Sequence, residues 1–356
     1  MARGQRRRQS GPGRWVLVGV AVVAAIAAAA TVLVLQNRGS DEGVAESSTA
    51  NTELSTVYAP YVYMTLADRP TLTQIAEKTG ANALHLAFAI TKGDTCSLTW
   101  DGTTALDTYK NEITAATDKG IEVIVSSGGA AGGEVAEACQ TAEATQEQLQ
   151  KLIDLGVRYL DFDVEGEERV VNATANTARA QAIAALQEKY ADLKVSFTLA
   201  AAPPTAADKA AGAASTAPWV AAVDAGVAID RINLMTMNFG GDIASQDMGA
   251  AATAAATGLH AQIQSIQGVE AAEAWGMVGI TPMIGVNDVT AETFSLENAE
   301  TIADFVTTNG VGMLSYWSVG RDTQCGADVT EQPVPTCSGV EQSDYAFASA
   351  FKTVLR

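Results

Sequence analysis

Three carboxylates alternate with apolar residues in segment 159–166, which reads YLDFDVEG. In an extended strand every second side chain points to the same side, so Asp161, Asp163 and Glu165 share one face. The apolar residues between and around them favour a strand that is covered on its other face. Because burying unpaired charges costs several kcal/mol, the pattern indicates a functional site. The alternative is an edge strand whose acidic face is simply solvated.

The spacing also predicts how these acids titrate. Cβ atoms two residues apart on a strand are about 6.5–7 Å apart, close enough for buried carboxylates to oppose each other's ionisation. We expect Asp161 and Asp163 to share one proton. Glu165 then faces a negative charge, which raises its pKa and keeps it protonated near neutral pH, as a general acid requires. Calcium or magnesium needs more clustered oxygen ligands than this segment offers, so no metal or other cofactor is predicted.

The chain beyond residue 57 alternates short apolar runs with stretches of helical period. The predicted strands cover residues 58–64, 83–90, 121–126, 159–165, 194–199, 231–237, 276–283 and 312–318. The predicted helices cover residues 72–79, 105–119, 146–155, 175–190, 219–225, 250–266 and 296–308. Such alternation predicts an α/β fold with a parallel sheet, and eight units fit a closed (β/α)8 TIM barrel. The rival, a doubly wound open sheet, usually has a glycine-rich turn after its first strand, and none follows Met64.

Active sites of (β/α)8 barrels lie at the carboxyl ends of the strands. The residues of chemical interest do come late in the predicted strands. Ser126 ends the third, Glu165 the fourth and Met283 the seventh, Asn238 follows the sixth, and Trp317 lies near the end of the eighth. The fold prediction therefore brings them to one face.

Bulk composition limits the partners. The chain has 356 residues, a hydrophobic content of 47% and a formal net charge of −19. This charge excludes nucleic acids and anionic membrane surfaces as binding partners. We expect a monomer.

The N-terminal region predicts a membrane anchor. Residues 1–14 form a basic tail, and residues 15–36 form an apolar run that is long enough to cross a bilayer as a helix. Arginines before the run and acids after it place the N-terminus inside the cell. We then expect a flexible linker at 37–57 and one catalytic domain at 58–356, outside the cell. A cleaved signal peptide, with a secreted product, is the alternative.

The four cysteines fit an exported, oxidised protein. Cys325 and Cys337 close a short proline-containing loop, so we predict that they form a disulfide. Cys96 and Cys139 are paired by elimination. The alternative is buried free thiols.

The sequence resembles glycoside hydrolase family 18, the chitinase family, whose fourth-strand signature is D-x-x-D-x-D-x-E. Its last three acids correspond to Asp161, Asp163 and Glu165, while Arg158 replaces its first acid. The SSGG at 126–129 resembles the S-x-G-G of the third strand, and Trp317 matches the family's eighth-strand tryptophan. The motifs YAPYV, TPMIGVNDV and TCSGV are most similar to an actinobacterial and archaeal chitinase group.

The resemblance implies a retaining mechanism in which the substrate's acetamido oxygen attacks the anomeric carbon. Glu165 is then general acid and later general base. Asp163 orients the acetamido group, and Asp161 takes up its proton. Trp317 stacks beneath the sugar, since an aromatic face suits the apolar surface of a pyranose.

The chain departs from the family on the sixth strand, where a tyrosine and an aspartate are common. Met237, Asn238 and Phe239 stand there. Asn238 keeps hydrogen-bonding capacity for the acetamido group but brings no charge to the cationic intermediate. Losing one such interaction costs on the order of 10²-fold in rate, which predicts a slow enzyme or another sugar.

Further residues complete the predicted substrate site. Met237, Met283 and Asn238 are expected to contact the sugar. Ser126 is expected to hydrogen-bond the aspartates. Trp100 is either a sugar platform at the rim or a packing residue.

The predicted activity is hydrolysis of β-1,4 bonds between N-acetylglucosamine units, with an N-acetylglucosamine-containing polysaccharide or oligosaccharide as the partner. An endo-β-N-acetylglucosaminidase that acts on other glycans could use the same acids. A carbohydrate-binding protein without catalysis is the alternative from a different class.

Overall fold

The computed structural model describes residues 56–204, 212–240, 247–329 and 332–355. The predicted basic tail, the predicted anchor at 15–36 and the linker up to residue 55 lie outside these ranges. Within them, none of the helices combines the length and the apolar character needed to cross a membrane.

The elements are numbered in chain order. The strands are β1 (Val57–Tyr58), β2 (Tyr61–Tyr63), β3 (Ala83–Thr91), β4 (Leu98–Trp100), β5 (Glu122–Gly128), β6 (Tyr159–Asp163), β7 (Lys194–Ala200), β8 (Arg231–Met235), β9 (Val278–Thr281), β10 (Gly285–Val286), β11 (Thr293–Phe294) and β12 (Met313–Leu314). The helices are α1 (Leu72–Thr79), α2 (Lys110–Asp118), α3 (Val135–Cys139), α4 (Ala142–Ile153), α5 (Glu167–Val170), α6 (Ala173–Lys189), α7 (Ala217–Asp224), α8 (Met248–Gln267), α9 (Ala271–Met277), α10 (Leu296–Asn309) and α11 (Ala346–Phe351).

Most strands belong to one curled sheet in the order β1-β12-β9-β8-β7-β6-β5-β3-β2, with β4 paired to β3. Its pairings are parallel except that of β4. The two strands at the ends of this order, β1 and β2, are separated along the chain only by residues 59–60. The sheet therefore curls round until its ends meet in neighbouring parts of the chain. The predicted α/β class with a parallel sheet is confirmed.

Several boundaries differ from those predicted. The apolar run 58–64 forms two short strands, and only Met313–Leu314 of the run 312–318 is a strand. The run 276–283 becomes a strand later than predicted, because helix α9 continues to Met277. Helix α4 begins four residues earlier than predicted, since Thr141 caps it by accepting a hydrogen bond from the Ala144 amide.

The two faces of β6 have different environments. Phe162 packs against Phe197 of β7 with ring centroids 5.6 Å apart, within the main hydrophobic core. Asp161 points the other way and meets Tyr61 of β2, a strand that is not adjacent to β6 in the sheet. That contact crosses the inside of the curl. The acids predicted to share one face therefore face the interior.

Both predicted disulfides are confirmed. Cys96 is bonded to Cys139, and Cys325 to Cys337. The first bond ties the segment before β4 to α3. The second closes the loop that follows β12.

Candidate active site

Asp161 lies at the centre of a cluster of hydroxyl groups and is completely buried. Ser126 of β5 donates a hydrogen bond to its Oδ2 (2.7 Å), and Ser196 of β7 donates to its Oδ1 (2.6 Å). Thr198 lies within 3.0 Å of both oxygens, and the hydroxyl of Tyr61 lies 3.4 Å from Oδ2. These donors satisfy a buried carboxylate, so Asp161 anchors the site.

Asp163, the last residue of β6, is bonded very differently. It is 3% exposed, and its Oδ1 atom is buried without a hydrogen-bond partner among the residues that the structure describes. Burial raises the pKa of Asp163 well above its usual range, and the charges of Glu165 and then Asp161 raise it further. This carboxyl group therefore holds a proton readily, and it keeps one acceptor position open.

Two glycines let β5 approach Asp163 closely. A Cβ atom on Gly128 would lie 2.0 Å from the Asp163 carbonyl oxygen, and the φ of Gly128 is +117°. The amide of Gly129 donates a hydrogen bond to that same carbonyl (2.9 Å). A Cβ on Gly129 would come within 3.0 Å of the Phe88 ring. The SSGG motif therefore shapes the strand end beneath the acids.

Glu165 lies two residues beyond the end of β6 and is partly buried. Burial raises its pKa to about 7; the nearby Arg169 opposes this increase and Asp288 adds to it. The expected protonation of Glu165 near neutral pH agrees with this value. The expected reason does not, because burial is the larger cause and Asp288 supplies the repulsion.

The shared proton of Asp161 and Asp163 stays a prediction, and the charges of two neighbouring carboxylates raise the pKa of Asp163. Among the carboxylates, Glu165 affects the pKa of Asp163 more than Asp161 does. The proton affinity of Asp163 therefore depends on both neighbouring acids, and on Glu165 more than on Asp161.

A cavity of about 350 Å³ opens above these acids. Its acidic lining residues are Asp163, Glu165 and Asp288, and its larger apolar and aromatic ones are Tyr61, Phe88, Met235, Met237 and Trp317. Trp317 stacks on Phe88 with centroids 5.5 Å apart and meets Tyr61 edge-on at 5.8 Å. The cavity thus combines an aromatic wall with a floor of carboxyl groups.

Not all predicted site residues reach the cavity. Asn238 lines it together with Met237 and Trp317, whereas Ser126 lies below it on Asp161. Met283 is buried next to Trp317, with which its backbone forms a bridge, and it is not part of the lining.

Trp100 is also absent from the cavity, so its proposed role as a sugar platform is wrong. Its ring is completely buried, packs edge-on against Tyr109 and donates a hydrogen bond to the Leu106 carbonyl (3.0 Å). Trp100 packs the core of the protein instead.

Among the lining residues that sequence analysis missed, the larger or charged ones are Tyr61, Phe88, Met235 and Asp288. Phe88 lies late in the predicted strand 83–90, so its position gave a usable signal, whereas Tyr61 lies in the middle of the run 58–64. Asp288 lies in a loop after β10, where neither period nor strand end marks it. Asn238 donates a hydrogen bond from Nδ2 to Oδ2 of Asp288 (3.1 Å).

The geometry fits general acid catalysis on a bound sugar. Glu165 supplies a proton that is available near neutral pH, and Asp163 supplies an open acceptor beside it. Trp317 supplies a flat apolar surface over the same space.

Comparisons with known proteins point to one family, although no family model matches the chain. The probable bifunctional chitinase/lysozyme of Escherichia coli (strain K12) is 30% identical over 314 residues, which cover 83% of this chain and 34% of that protein. Endochitinase 11 of Metarhizium anisopliae is 31% identical over 283 residues, which cover 75% of this chain and 52% of that protein.

One similar solved structure comes from Pyrococcus furiosus. It is a crystal structure of active domain 2 of a thermostable chitinase, with mutations in the catalytic site, in complex with chito-oligosaccharides. The two chains are 30% identical with a TM-score of 0.74, and the match covers 84% of this chain and 94% of that one. By contrast, the present chain spans about a third and about half of the two curated relatives.

Proposed function

Because this chain belongs to the chitinases of glycoside hydrolase family 18, we propose that it hydrolyses β-1,4 bonds between N-acetylglucosamine units in chitin-type glycans. One observation carries the proposal. Glu165, with a pKa of about 7, lines the same cavity as Asp163, whose Oδ1 has no partner within the described part of the chain. The chito-oligosaccharides bound to the Pyrococcus relative support this class of substrate.

In the first step Glu165 donates its proton to the glycosidic oxygen, and the bond from that oxygen to the anomeric carbon breaks. The acetamido oxygen of the same sugar bonds to the anomeric carbon and forms an oxazolinium ion. Asp163 Oδ1 accepts a hydrogen bond from the acetamido N–H and so aims the oxygen. Asp161, held by its hydroxyl cluster, keeps Asp163 in place.

In the second step the Glu165 carboxylate takes a proton from water. The water oxygen bonds to the anomeric carbon, and the bond to the acetamido oxygen breaks. The product retains its anomeric configuration, and Glu165 is protonated again for the next cycle. Trp317 holds the sugar over the acids throughout.

We also propose that the curled sheet is a closed (β/α)8 barrel whose first strand is interrupted. The pairing of β1 with β12 and of β2 with β3 supports this. Closure places the carboxyl ends of the parallel strands around one cavity, as the site requires.

The enzyme is proposed to act outside the cell, attached by the apolar run at 15–36. Two disulfides support an oxidising environment. In cells that produce the full chain, the protein should fractionate with membranes and be digested by protease added outside. A freely soluble protein that begins beyond residue 35 would contradict the attachment.

Product release tests the activity itself. The full chain is incubated with N-acetylglucosamine oligomers, and shorter oligomers of retained configuration are expected from the wild type. Glu165→Gln should release none. Binding of oligomers without cleavage by the wild type would establish a binding protein instead. Cleavage of other N-acetylated glycans alone would establish an endo-β-N-acetylglucosaminidase.

A further inference from the structure

Two loops at one side of the cavity are fastened to each other. One follows β8 and contains Asn238, and the other follows β10 and contains Asn287, Asp288 and Glu292. We call these four residues the loop clasp. Its members contribute hydrogen bonds between segments that are about 50 residues apart, as the Asn238–Asp288 pair shows.

Asn238 makes hydrogen bonds to the other loop through both its backbone and its side chain. Its amide N–H donates to Asn287 Oδ1 (3.3 Å), and its Nδ2 donates to Asp288 Oδ2 (3.1 Å). Its Oδ1 accepts from the Val289 amide (3.0 Å). Its φ is +51°, a conformation that asparagine adopts more easily than most residues. Asn238 therefore binds the neighbouring loop while it also lines the cavity, and its expected contact with the sugar stays a prediction.

The base of the loop clasp is buried. Glu292 is completely buried and accepts hydrogen bonds from the amides of Phe239 (3.1 Å) and Gly240 (2.6 Å). Asn287, also completely buried, donates to two carbonyls of the preceding turn at 2.8 and 3.0 Å. Buried, charge-assisted contacts of this kind hold loops in one conformation.

This arrangement holds an exposed carboxylate, that of Asp288, at the cavity wall. Asp288 and Glu165 both line the cavity. The negative charge of Asp288 raises the pKa of Glu165, whereas the positive charge of Arg169 lowers it. Asp163 is the other acid beside Glu165. The loop clasp therefore contributes a negative charge where the proton donor and a cationic intermediate would lie.

We propose that Asp288 is a fourth functional carboxylate of the active site and that Asn238 is its positioning residue. The negative charge of Asp288 keeps Glu165 protonated and balances positive charge on the reacting sugar. This inference rests on the proposed hydrolysis for its second role only. The first concerns the protein alone.

The test compares Asp288→Asn with Asn238→Asp and with the double substitution that exchanges the two residues. Asp288→Asn should lower kcat about tenfold with little change in KM. Asn238→Asp should also lower kcat, because two carboxylates would face each other and the Nδ2 donor would be lost. The exchange restores an amide–carboxylate pair and one negative charge, so it should recover activity relative to Asn238→Asp. Asp304→Asn, on the exposed face of α10, is the matched control.

A second measurement follows the titration of the Glu165 carboxyl carbon by carbon-13 NMR. Asp288→Asn removes a repelling charge, so the midpoint should move to lower pH by less than about one unit. The alkaline limb of the activity profile should move in the same direction, because the general acid must be protonated.

The two measurements separate the inference from the proposed function. A wild type that releases no product, with a lowered Glu165 midpoint in Asp288→Asn, would refute the hydrolysis and keep the link from Asp288 to Glu165. An unchanged midpoint together with unchanged kcat would overturn the inference. A higher kcat in Asn238→Asp would also overturn it, since Asn238 would then occupy a site better filled by an acid.

Discussion

The cavity has two acidic sides that are built in different ways. On one side, Asp161 and Asp163 alternate along the regular strand β6, and the serine and threonine donors of Asp161 come from the adjoining strands. On the other side, Asp288 lies in an irregular loop and is held by Asn238 from a loop 50 residues away. Strand pairing within the sheet positions Asp161 and Asp163, and the loop clasp positions Asp288.

The two sides therefore have different roles. The strand side holds the catalytic acids in place, and the loop side adjusts the pKa of Glu165. Sheet neighbours surround Asp161 with hydroxyl donors and leave one oxygen of Asp163 open, so the strand fixes where chemistry occurs. The loop clasp adds a charge that changes how readily Glu165 holds its proton. Changes on the strand side should therefore have the larger effects on rate.

The largest effect is expected for Asp163→Asn. Removing the open acceptor should lower kcat by on the order of 10²-fold. Stability should hold or improve, because burial disfavours this carboxylate. Steady-state kinetics and urea unfolding measure both quantities.

Asp161→Asn is the comparison for that experiment. Its hydroxyl donors would lose a charged acceptor, so the free energy of unfolding should fall by about 1.5–3 kcal/mol. If Asp163→Asn were more destabilising than Asp161→Asn, the assignment of Asp161 as the structural anchor and of Asp163 as the open acceptor would be wrong.

Gly128→Ala should be next in effect. The new Cβ would meet the Asp163 carbonyl at 2.0 Å in a backbone with φ of +117°. The strand end must shift, so we expect a loss of about 3 kcal/mol in unfolding free energy and a lower kcat. Gly120→Ala is a matched control, because its φ is +77° and a Cβ there meets nothing within 4 Å. Equal losses in the two variants would show that backbone conformation alone, without the close approach, sets the cost.

The sequence predicted the strand side of the site and missed the loop side for a physical reason. Period-two alternation marks Asp161 and Asp163 because a strand repeats regularly. The parallel sheet then follows from the order of strands and helices. Asp288 falls within the motif TPMIGVNDV, but no period or strand end marks its role, because its position depends on a hydrogen bond across 50 residues. The same limit applies to Asn238, whose side chain is used by that loop.

Trp317 and Trp100 show the same limit of sequence analysis for two residues of one type. Trp317 was predicted to stack beneath the sugar from the resemblance to the family, whereas for Trp100 the sequence left a sugar platform and a packing residue as alternatives. The buried ring of Trp100 and its hydrogen bond to Leu106 belong to the core. Only the surrounding chain, which sequence patterns do not specify, distinguishes them.

A smaller effect on rate is expected for Glu292→Gln at the base of the loop clasp. The buried carboxylate accepts from two amides, and a glutamine has only one side-chain oxygen to offer them. Unfolding free energy should fall by about 1–3 kcal/mol, and kcat should fall several-fold as Asp288 loses its fixed position. Glu300→Gln, exposed on α10, is the control and should change neither quantity. If Glu292→Gln lost stability but kept the kcat of the wild type, the loop clasp would have no role in catalysis.

An effect on the pH dependence of stability joins the two sides at Glu165. Its pKa is about 7 in the folded protein against an ordinary 4.5, so the folded state binds the proton more tightly than the unfolded state. The stability that this proton contributes is fully present below about pH 4.5 and is lost as the pH rises through about 7. Glu165→Gln carries no such proton, so its melting temperature relative to the wild type should increase across this window. Part of that difference belongs to Asp163, because the charge of Glu165 helps to raise the pKa of Asp163.

Asp288→Asn then shows how much of this pH dependence comes from the loop side. Burial, the larger cause of the raised pKa, remains in that variant, and the repulsion from Asp288 is gone. The pH-dependent loss of stability should therefore end at a lower pH than in the wild type and still extend above pH 4.5. Melting curves of wild type, Glu165→Gln and Asp288→Asn between pH 4 and 8 make the comparison. A profile of Asp288→Asn identical to that of the wild type would mean that the strand side alone sets the proton affinity of Glu165.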